Sequence, residues 1–156
     1  MMISELACAV SVQLHDFDVG HEIRCLNEGR CDIGAVVSFV GYVRDFSSNQ
    51  GITALELEHY PGMTERSLND IARRAMMRWP LSALRVIHRY GKLSPSDQIV
   101  LVVTASAHRH DAYEANAFVM DYLKTQAPFW KKEYFQDVGH WVQARESDLL
   151  AASRWA

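Results

Sequence analysis

Lysine is scarce in this chain, and most of it is concentrated in one segment. Of the sixteen lysines and arginines only four are lysines, and three of these, Lys124, Lys131 and Lys132, lie within nine residues of one another. An ammonium group is a compact cation that binds anions and, when buried, takes part in proton transfer. The segment therefore predicts ammonium chemistry on an anionic ligand; a solvated face on which lysines cluster by chance is the alternative.

The position of each lysine limits what the three can do together. Lys124 falls in the last turn of a predicted helix, where the helix dipole favours a cation whether or not it serves a site. Lys131 and Lys132 are neighbours on a predicted strand, and successive strand residues point to opposite faces. At most one of these two therefore shares a pocket with Lys124.

Two further segments carry cations at places suited to binding an anion. His108, Arg109 and His110 follow a predicted strand and open a predicted helix, whose free N–H groups and dipole attract a phosphate or a carboxylate. Arg44 ends an apolar strand and precedes the polar segment 45–51, which we predict to be a mobile loop. Helix capping alone and a plain surface arginine are the respective alternatives.

Signatures of other chemistries are missing from the sequence. There is no GxSxG, P-loop, GxGxxG or HExxH pattern, and Glu58 and His59 are adjacent on a predicted strand, hence on opposite faces. The three cysteines, Cys8, Cys25 and Cys31, have neither CxxC nor zinc-site spacing, so we expect inert buried thiols and no metal site. The residue types alone thus predict an anionic ligand and nothing more specific.

The composition is that of an ordinary folded protein. The 156 residues are 49% apolar and 22% charged, which excludes intrinsic disorder and predicts one domain over residues 1–156. No apolar stretch is long enough for a transmembrane helix, and the N-terminal segment lacks the basic start of a signal peptide, so we expect a cytoplasmic protein. The formal net charge of −3 argues against general nucleic-acid binding.

Hydrophobic periodicity predicts strands and helices that alternate irregularly. The predicted strands span 7–14, 33–43, 52–60, 83–91, 98–106, 129–135 and 140–145. The predicted helices span 19–28, 63–79, 110–126 and 147–154, the last capped by Ser147. Because this order lacks strict β-α-β alternation, it indicates an α+β fold with a mostly antiparallel or mixed sheet.

Several of these segments, taken in order, resemble one known family. They are 41–44 (GYVR), 57–63 (LEHYPGM), 78–81 (RWPL), 106–109 (SAHR), 121–124 (DYLK), 127–133 (APFWKKE), 141–142 (WV) and 144–148 (ARESD). From about Phe17 to the C-terminus this set resembles the MoaE family, the large, catalytic subunit of molybdopterin synthase. Each segment alone is a weak signal, whereas the ordered set is highly specific.

The resemblance implies a fold, a reaction and partners. The fold would be α+β, an α/β hammerhead-like domain with an additional antiparallel β-sheet. The activity would be that of a sulfurtransferase, which moves sulfur from the C-terminal Gly-Gly thiocarboxylate of a small ubiquitin-like sulfur-carrier subunit to cyclic pyranopterin monophosphate and so forms the dithiolene of molybdopterin. The chain would form a homodimer and, with two small subunits, a heterotetramer. It would use no cofactor or metal and bind neither nucleic acid nor a membrane.

The resemblance also implies roles for individual positions. Lys124 and Lys131 correspond to the family's catalytic lysines. The positions that correspond to substrate contacts are Tyr42, Val43, Arg44, His108, Arg109, Lys132 and Glu133. The chain departs from the family pattern at Tyr42, His110, Gln126 and Lys132 and in the segment 45–51. These departures affect fine contacts with the substrate and the partner rather than the chemistry.

Two other functions are compatible with the residues. One is a non-catalytic anion- or nucleotide-binding module of ferredoxin-like fold. The acidic net charge and the lack of an aromatic RNP-like strand count against RNA binding by such a module. The other is a degenerate subunit that dimerises but has lost activity. The chain retains four of the family's functional residues together, and this counts against the second alternative. They are Lys124, Lys131, Arg44 and His108.

Overall fold

Two four-stranded sheets and four helices make up the part of the chain that the computed structural model describes, residues 7–44, 53–136, 138–142 and 145–156. The elements in chain order are β1 (Cys8–Gln13), α1 (Val19–Asn27), β2 (Ala35–Tyr42), β3 (Ala54–His59), α2 (Met63–Arg78), β4 (Leu81–Arg89), β5 (Gly91–Leu93), β6 (Gln98–Ser106), α3 (Arg109–Gln126), β7 (Phe129–Phe135), β8 (Val138–Val142) and α4 (Glu146–Ser153). Sheet 1 has the strand order β1-β4-β6-β2, and sheet 2 has the order β5-β3-β7-β8. None of the helices in these ranges is long and apolar enough to cross a membrane.

Sheet 1 is built around β6, most of whose residues are buried. Its neighbours β4 and β2 both run antiparallel to it, and β1 extends the sheet by pairing parallel to β4. Val100 and Val102 pack in one core with α2 and α3, whereas Leu101 and Val103 pack in a second core with α1. Because both faces of the sheet are covered, the strand reads in the sequence as an unbroken apolar run.

Sheet 2 is antiparallel throughout. Its strand β3 pairs with β5 and β7, and β7 pairs in turn with β8. Val43, just beyond β2 of sheet 1, forms a small apolar cluster with Leu55, Leu57 and Leu93 of sheet 2. The two sheets therefore meet at the C-terminal end of β2.

A buried tryptophan just beyond the C-terminal helix α4 anchors that helix. Trp155 is buried, and its ring meets the rings of Trp79 and Phe118 edge-on, with the centroids 5.6 Å apart in each pair. Its indole Nε1 donates a hydrogen bond to Asp121 Oδ2 at 2.6 Å. Because α4 itself buries no residue completely, this anchor fixes the segment that starts at Arg145.

The strands predicted from the sequence are present, with two differences. Strand β5 is additional, because a pattern of three residues is too short to be recognised. Strand β8 begins at Val138 rather than at residue 140, because Val138 already pairs with Phe135 of β7. Residues 143 and 144 of the predicted strand lie outside the described residues. The segment 45–51, predicted to be a loop, lies outside the described residues.

Two local predictions are wrong. Ser147 does not cap the last helix, because α4 begins at Glu146 and the extended backbone of Arg145 precedes it. The expectation of buried thiols fails for Cys25 and Cys31, which are exposed. Cys25 lies on α1, a helix with no fully buried residue, so this side of the molecule leaves thiols accessible to solvent.

Thr64, in the first turn of α2, joins the turn before that helix to the start of β7. The side chain is fully buried. Its hydroxyl oxygen accepts a hydrogen bond from the Tyr60 N–H at 2.9 Å and donates one to the Pro128 carbonyl at 3.0 Å. Strand β7 is therefore fixed at its start by a contact with a distant part of the chain.

We expect Thr64→Val to lower the free energy of unfolding by about 2 kcal/mol, because valine leaves the Tyr60 N–H and the Pro128 carbonyl without this partner. Urea denaturation followed by circular dichroism measures the change. Thr53→Val is the matched control, since the Thr53 hydroxyl also donates to a carbonyl, that of Tyr134 at 3.1 Å, but at an exposed position. The control should change stability by less than about 0.5 kcal/mol, and equal losses in the two variants would contradict the role of Thr64.

Candidate active site

A cavity of about 420 Å³ opens where the end of β2, one face of sheet 2 and the last turn of α3 come together. Apolar side chains form part of its wall, among them Phe39, Leu57 and Phe129. The charged residues that line it are Arg44, Lys124, Lys131, Glu133, Arg145 and Asp148. Four cations against two carboxylates make the cavity positive in a chain whose net charge is −3. The cavity therefore suits an anionic ligand.

Lys131 enters the cavity from β7 and is partly buried. Burial is the main cause that lowers the pKa of its ammonium group, and the charges of Lys124 and Arg145 lower the pKa further. The carboxylates of Glu133 and Asp148 oppose this shift. Lys131 thus gives up a proton more easily than an exposed lysine does, as proton transfer near neutral pH requires.

Lys124 reaches the same cavity from the last turn of α3. Lys132, which follows Lys131, lies on the other face of sheet 2, where its Nζ is 5.5 Å from the ring centroid of Tyr134 and 5.2 Å from that of Trp141. The expectation that only one of the two adjacent lysines shares a pocket with Lys124 is confirmed. Lys132 itself does not line the cavity.

Arg44 lies at the cavity because backbone hydrogen bonds fix the end of β2. The Val43 N–H donates to the Asp97 carbonyl at 2.9 Å, and the Ser96 N–H donates to the Val43 carbonyl at 2.8 Å. Val43 is buried, whereas Tyr42 is 55% exposed. The structure thus brings all three predicted positions of this segment to the cavity.

His108 and Arg109 lie at the opposite end of α3 from Lys124. Arg109 and Lys124 are fifteen residues apart on the helix, which corresponds to about 22 Å at 1.5 Å per residue. Within one chain, His108 and Arg109 therefore do not lie near the two lysines, and neither His108 nor Arg109 lines the cavity.

Three ionisable residues that line the cavity, His88, Arg145 and Asp148, are not among the predicted site residues. Arg145 and Asp148 belong to the segment that Trp155 anchors, and no local pattern predicts that a C-terminal helix returns to this cavity. His88 does leave a signal, since it is a histidine within an otherwise largely apolar predicted strand. Its stacking partner in the cavity wall, Phe129, is distant in the sequence.

His88 is buried in the cavity wall and stays neutral. Its ring stacks on that of Phe129, with the centroids 3.7 Å apart and the planes 20° apart. Burial lowers the pKa of His88 from 6.5 to about 3, against the opposite effect of a hydrogen bond with the Arg89 carbonyl. Lys124 and His59 lower the pKa further through their charges.

This histidine makes the stability of the protein depend on pH. In the unfolded chain His88 takes up a proton below about pH 6.5, whereas in the folded protein it stays neutral down to about pH 3. The folded state is therefore progressively disfavoured as the pH falls from 6.5 toward 3. From the two pKa values, we expect the free energy of unfolding to decrease by about 2 kcal/mol between pH 7 and pH 5. Urea unfolding at both pH values measures this decrease, which should vanish in His88→Gln; an equal decrease in that variant would contradict the assignment.

The fold and the cavity together define a class of protein. An α+β fold whose two sheets meet at a positive cavity with two lysines, one of lowered pKa, is typical of an enzyme that acts on an anionic substrate. The comparison with known proteins then names the family. The family model described as MoaE protein matches residues 12–126, and the chain belongs to the MoaE family.

Curated relatives extend this match over nearly the whole chain. A protein of Mesorhizobium japonicum named molybdopterin synthase catalytic subunit is 57% identical over 157 residues, which cover 99% of this chain and 97% of the relative. A protein of Escherichia coli with the same name is 54% identical, and the match covers 89% of this chain and 92% of the relative.

Solved structures agree with the fold. A molybdopterin biosynthesis MoaE protein from Burkholderia ambifaria is similar with a TM-score of 0.81 at 48% identity, over 95% of this chain and 97% of that one. Molybdopterin synthase from Staphylococcus aureus is similar with a TM-score of 0.76 at 32% identity, over 85% of this chain and 95% of that one. The expected α+β fold with its additional antiparallel sheet is confirmed. The alternative of a ferredoxin-like binding module finds no support in these relatives.

Proposed function

We propose that this chain is the catalytic subunit of a molybdopterin synthase and acts as a sulfurtransferase in molybdenum cofactor biosynthesis. Its substrate is cyclic pyranopterin monophosphate, and its sulfur source is the C-terminal Gly-Gly thiocarboxylate of a small ubiquitin-like subunit. The observation that carries the proposal is the convergence of Lys124, Lys131 and Arg44 in one positive cavity. The chain that holds this cavity is 57% identical to a protein named molybdopterin synthase catalytic subunit.

The chemistry needs both proton transfer and stabilisation of negative charge. In each of two rounds, the thiocarboxylate sulfur forms a bond to a carbon of the pterin side chain and displaces an oxygen substituent, which takes up a proton. Water then attacks the carbonyl carbon of the tail, the bond from that carbon to sulfur breaks, and the tail leaves as a carboxylate. The attack of water places negative charge on the carbonyl oxygen, which a neighbouring ammonium group stabilises.

The cationic residues of the cavity fit these requirements. The lowered pKa of Lys131 favours it for proton transfer, and Lys124 is then the ammonium group available to the carbonyl oxygen. Arg44 and Arg145 present planar guanidinium groups, whose N–H donors suit the phosphate of the substrate. Tyr42 also lines the cavity, and its ring is exposed. In this proposal the ring contacts the substrate.

We also propose that the chain acts as a homodimer within a heterotetramer that contains two small subunits. His108 and Arg109 support this assembly, since they lie about 22 Å along α3 from Lys124. A role for them at a substrate cavity requires a second copy of the chain. One domain over residues 1–156 and a cytoplasmic location stay predictions.

A reconstituted reaction tests the proposed function. The purified chain is mixed with cyclic pyranopterin monophosphate and a small ubiquitin-like subunit that ends in a thiocarboxylate, and the dithiolene product is followed by mass spectrometry. We expect product only when both the chain and the thiocarboxylate are present, so the same small subunit ending in a carboxylate is the matched control. Complex formation without product would refute the enzymatic proposal and support a degenerate subunit.

A further inference from the structure

One buried polar residue of the cavity wall has no part in the chemistry described so far. His88 is 5% exposed and lies on β4 of sheet 1, whereas the two lysines come from α3 and β7. Its ring is held by the stacked ring of Phe129 and by a hydrogen bond between Nδ1 and the Arg89 carbonyl at 2.8 Å. An apolar side chain would fill the same space without the cost of burying a polar group, so packing alone does not explain a histidine here.

The hydrogen bond at Nδ1 determines which ring nitrogen carries the proton. A carbonyl oxygen can only accept, so Nδ1 of His88 must be the donor. The ring is neutral and therefore holds a single proton, which leaves the lone pair of Nε2 available. The ionisable groups whose charges act on this ring are Lys124 of α3 and His59 of β3. His88 is therefore a fixed hydrogen-bond acceptor in the wall of the cavity that Lys124 also lines.

We propose that Nε2 of His88 accepts a hydrogen bond from a water molecule that the Lys124 ammonium group binds in the cavity both residues line, and that His88 is thereby a positioning residue for sulfur transfer. This inference rests on the proposed function and assigns different tasks to the two lysines. The Lys124 ammonium group is held in place by a neutral acceptor. Burial and two nearby cations disfavour the charged form of Lys131. In this proposal Lys131 is therefore the lysine that exchanges a proton.

The benefit of such an acceptor is geometric. A lysine side chain has four rotatable bonds, and its ammonium group can occupy many positions in a cavity of this size. A misplacement of about 1 Å in a catalytic group can reduce the rate by about 100-fold. Because His88 is clamped between Phe129 and the backbone, its Nε2 offers Lys124 one defined position.

Nitrogen-15 NMR of protein labelled at histidine tests the contact without reference to activity. We expect Nδ1 of His88 to carry the proton and Nε2 to carry none. Lys124→Met should shift the Nε2 resonance, whereas Lys92→Met, on β5 and outside the cavity, should leave it unchanged. A proton on Nε2, or an Nε2 resonance that does not respond to Lys124→Met, overturns the proposal.

The reconstituted reaction tests the catalytic consequence. His88→Phe keeps an aromatic ring against Phe129 but removes the acceptor, and we expect kcat to fall at least about tenfold while KM for the pterin stays within about twofold. His88→Gln offers an amide oxygen and should recover kcat to within about threefold of wild type. His21→Gln, at an exposed histidine of α1, is the control and should match wild type.

The outcomes separate this inference from the proposed function. A folded His88→Phe with wild-type kcat, or a folded His88→Gln as slow as His88→Phe, overturns the positioning role. If His88→Phe does not fold, the NMR comparison of wild type and Lys124→Met still decides on the contact. If wild-type protein forms no product with the thiocarboxylated subunit, the proposed function fails, and the NMR result stands on its own.

Discussion

Lys131→Ala is expected to lower kcat for dithiolene formation by at least about 100-fold while the fold is retained. The variant removes the lysine of the cavity whose pKa is lowered, and with it the group best suited to exchange a proton during sulfur transfer. The fold survives because burial disfavours this ammonium group, so its removal does not take away a stabilising charge. Steady-state kinetics with the thiocarboxylated small subunit measure the loss, and circular dichroism with thermal unfolding verifies the fold.

Two further variants make this result specific to Lys131. Lys92→Ala is the matched control, because Lys92 is a lysine of sheet 2 outside the cavity, with its Nζ 4.6 Å from the ring centroid of Tyr134. Its kcat should stay within about twofold of wild type. Lys131→Arg keeps a positive charge, but a guanidinium group does not release its proton. We therefore expect its kcat to stay at least about tenfold below that of wild type. Full recovery in Lys131→Arg would show that charge suffices and would contradict proton transfer by Lys131.

Gly34→Ala is expected to lower the free energy of unfolding by about 3 kcal/mol or more. Gly34 directly precedes β2, and its N–H donates to the Ser106 carbonyl at 2.9 Å. A Cβ atom on this residue would overlap the backbone carbonyl oxygen of Ala107. Because backbone rather than a flexible side chain blocks the space, the start of β2 and the junction between β6 and α3 must move apart. Urea denaturation measures the loss of stability.

Gly29→Ala is the matched control for Gly34→Ala, because it measures the cost of an unfavourable backbone conformation without a steric clash. Gly29 has a φ of +70°, which disfavours alanine, but no atom lies within 4 Å of the added methyl group. We expect a loss of about 1 kcal/mol from this conformation. If Gly34→Ala were no more destabilising than Gly29→Ala, the close approach of β2 to the β6–α3 junction would be contradicted.

Local pattern predicts the elements of this fold better than it predicts their pairing. Helix α2 and strand β6 could be recognised because an amphipathic helix and a doubly buried strand leave distinct periodicities in the sequence. The pairing of β3 with β7 could not, since Leu57 and Lys131 are opposite each other in sheet 2 but far apart in the chain. Periodicity shows which face of each strand is apolar and leaves open which strands are neighbours.

The same distinction applies to the cavity. Strand alternation separates Lys131 from Lys132, and this relation follows from the sequence alone. The separation of Arg109 from Lys124 is evident only from the observed length of α3. His88 and Arg145 could not be assigned in this way. Their places depend on how β4 packs against β7 and on how Trp155 holds α4, which are contacts between distant segments.

The strand order of sheet 2 also sets the point during synthesis at which the protein acquires its cavity. All four strands of sheet 1 precede residue 107, so that sheet can assemble while the rest of the chain is still being made. Strand β3 is made early, but its partner β7 follows about seventy residues later. Until β7 emerges, one edge of β3 keeps its backbone N–H and carbonyl groups unpaired, the condition that favours aggregation. A nascent chain that stalls before β7 therefore contains all four strands of sheet 1, an open edge on β3 and an incomplete binding cavity.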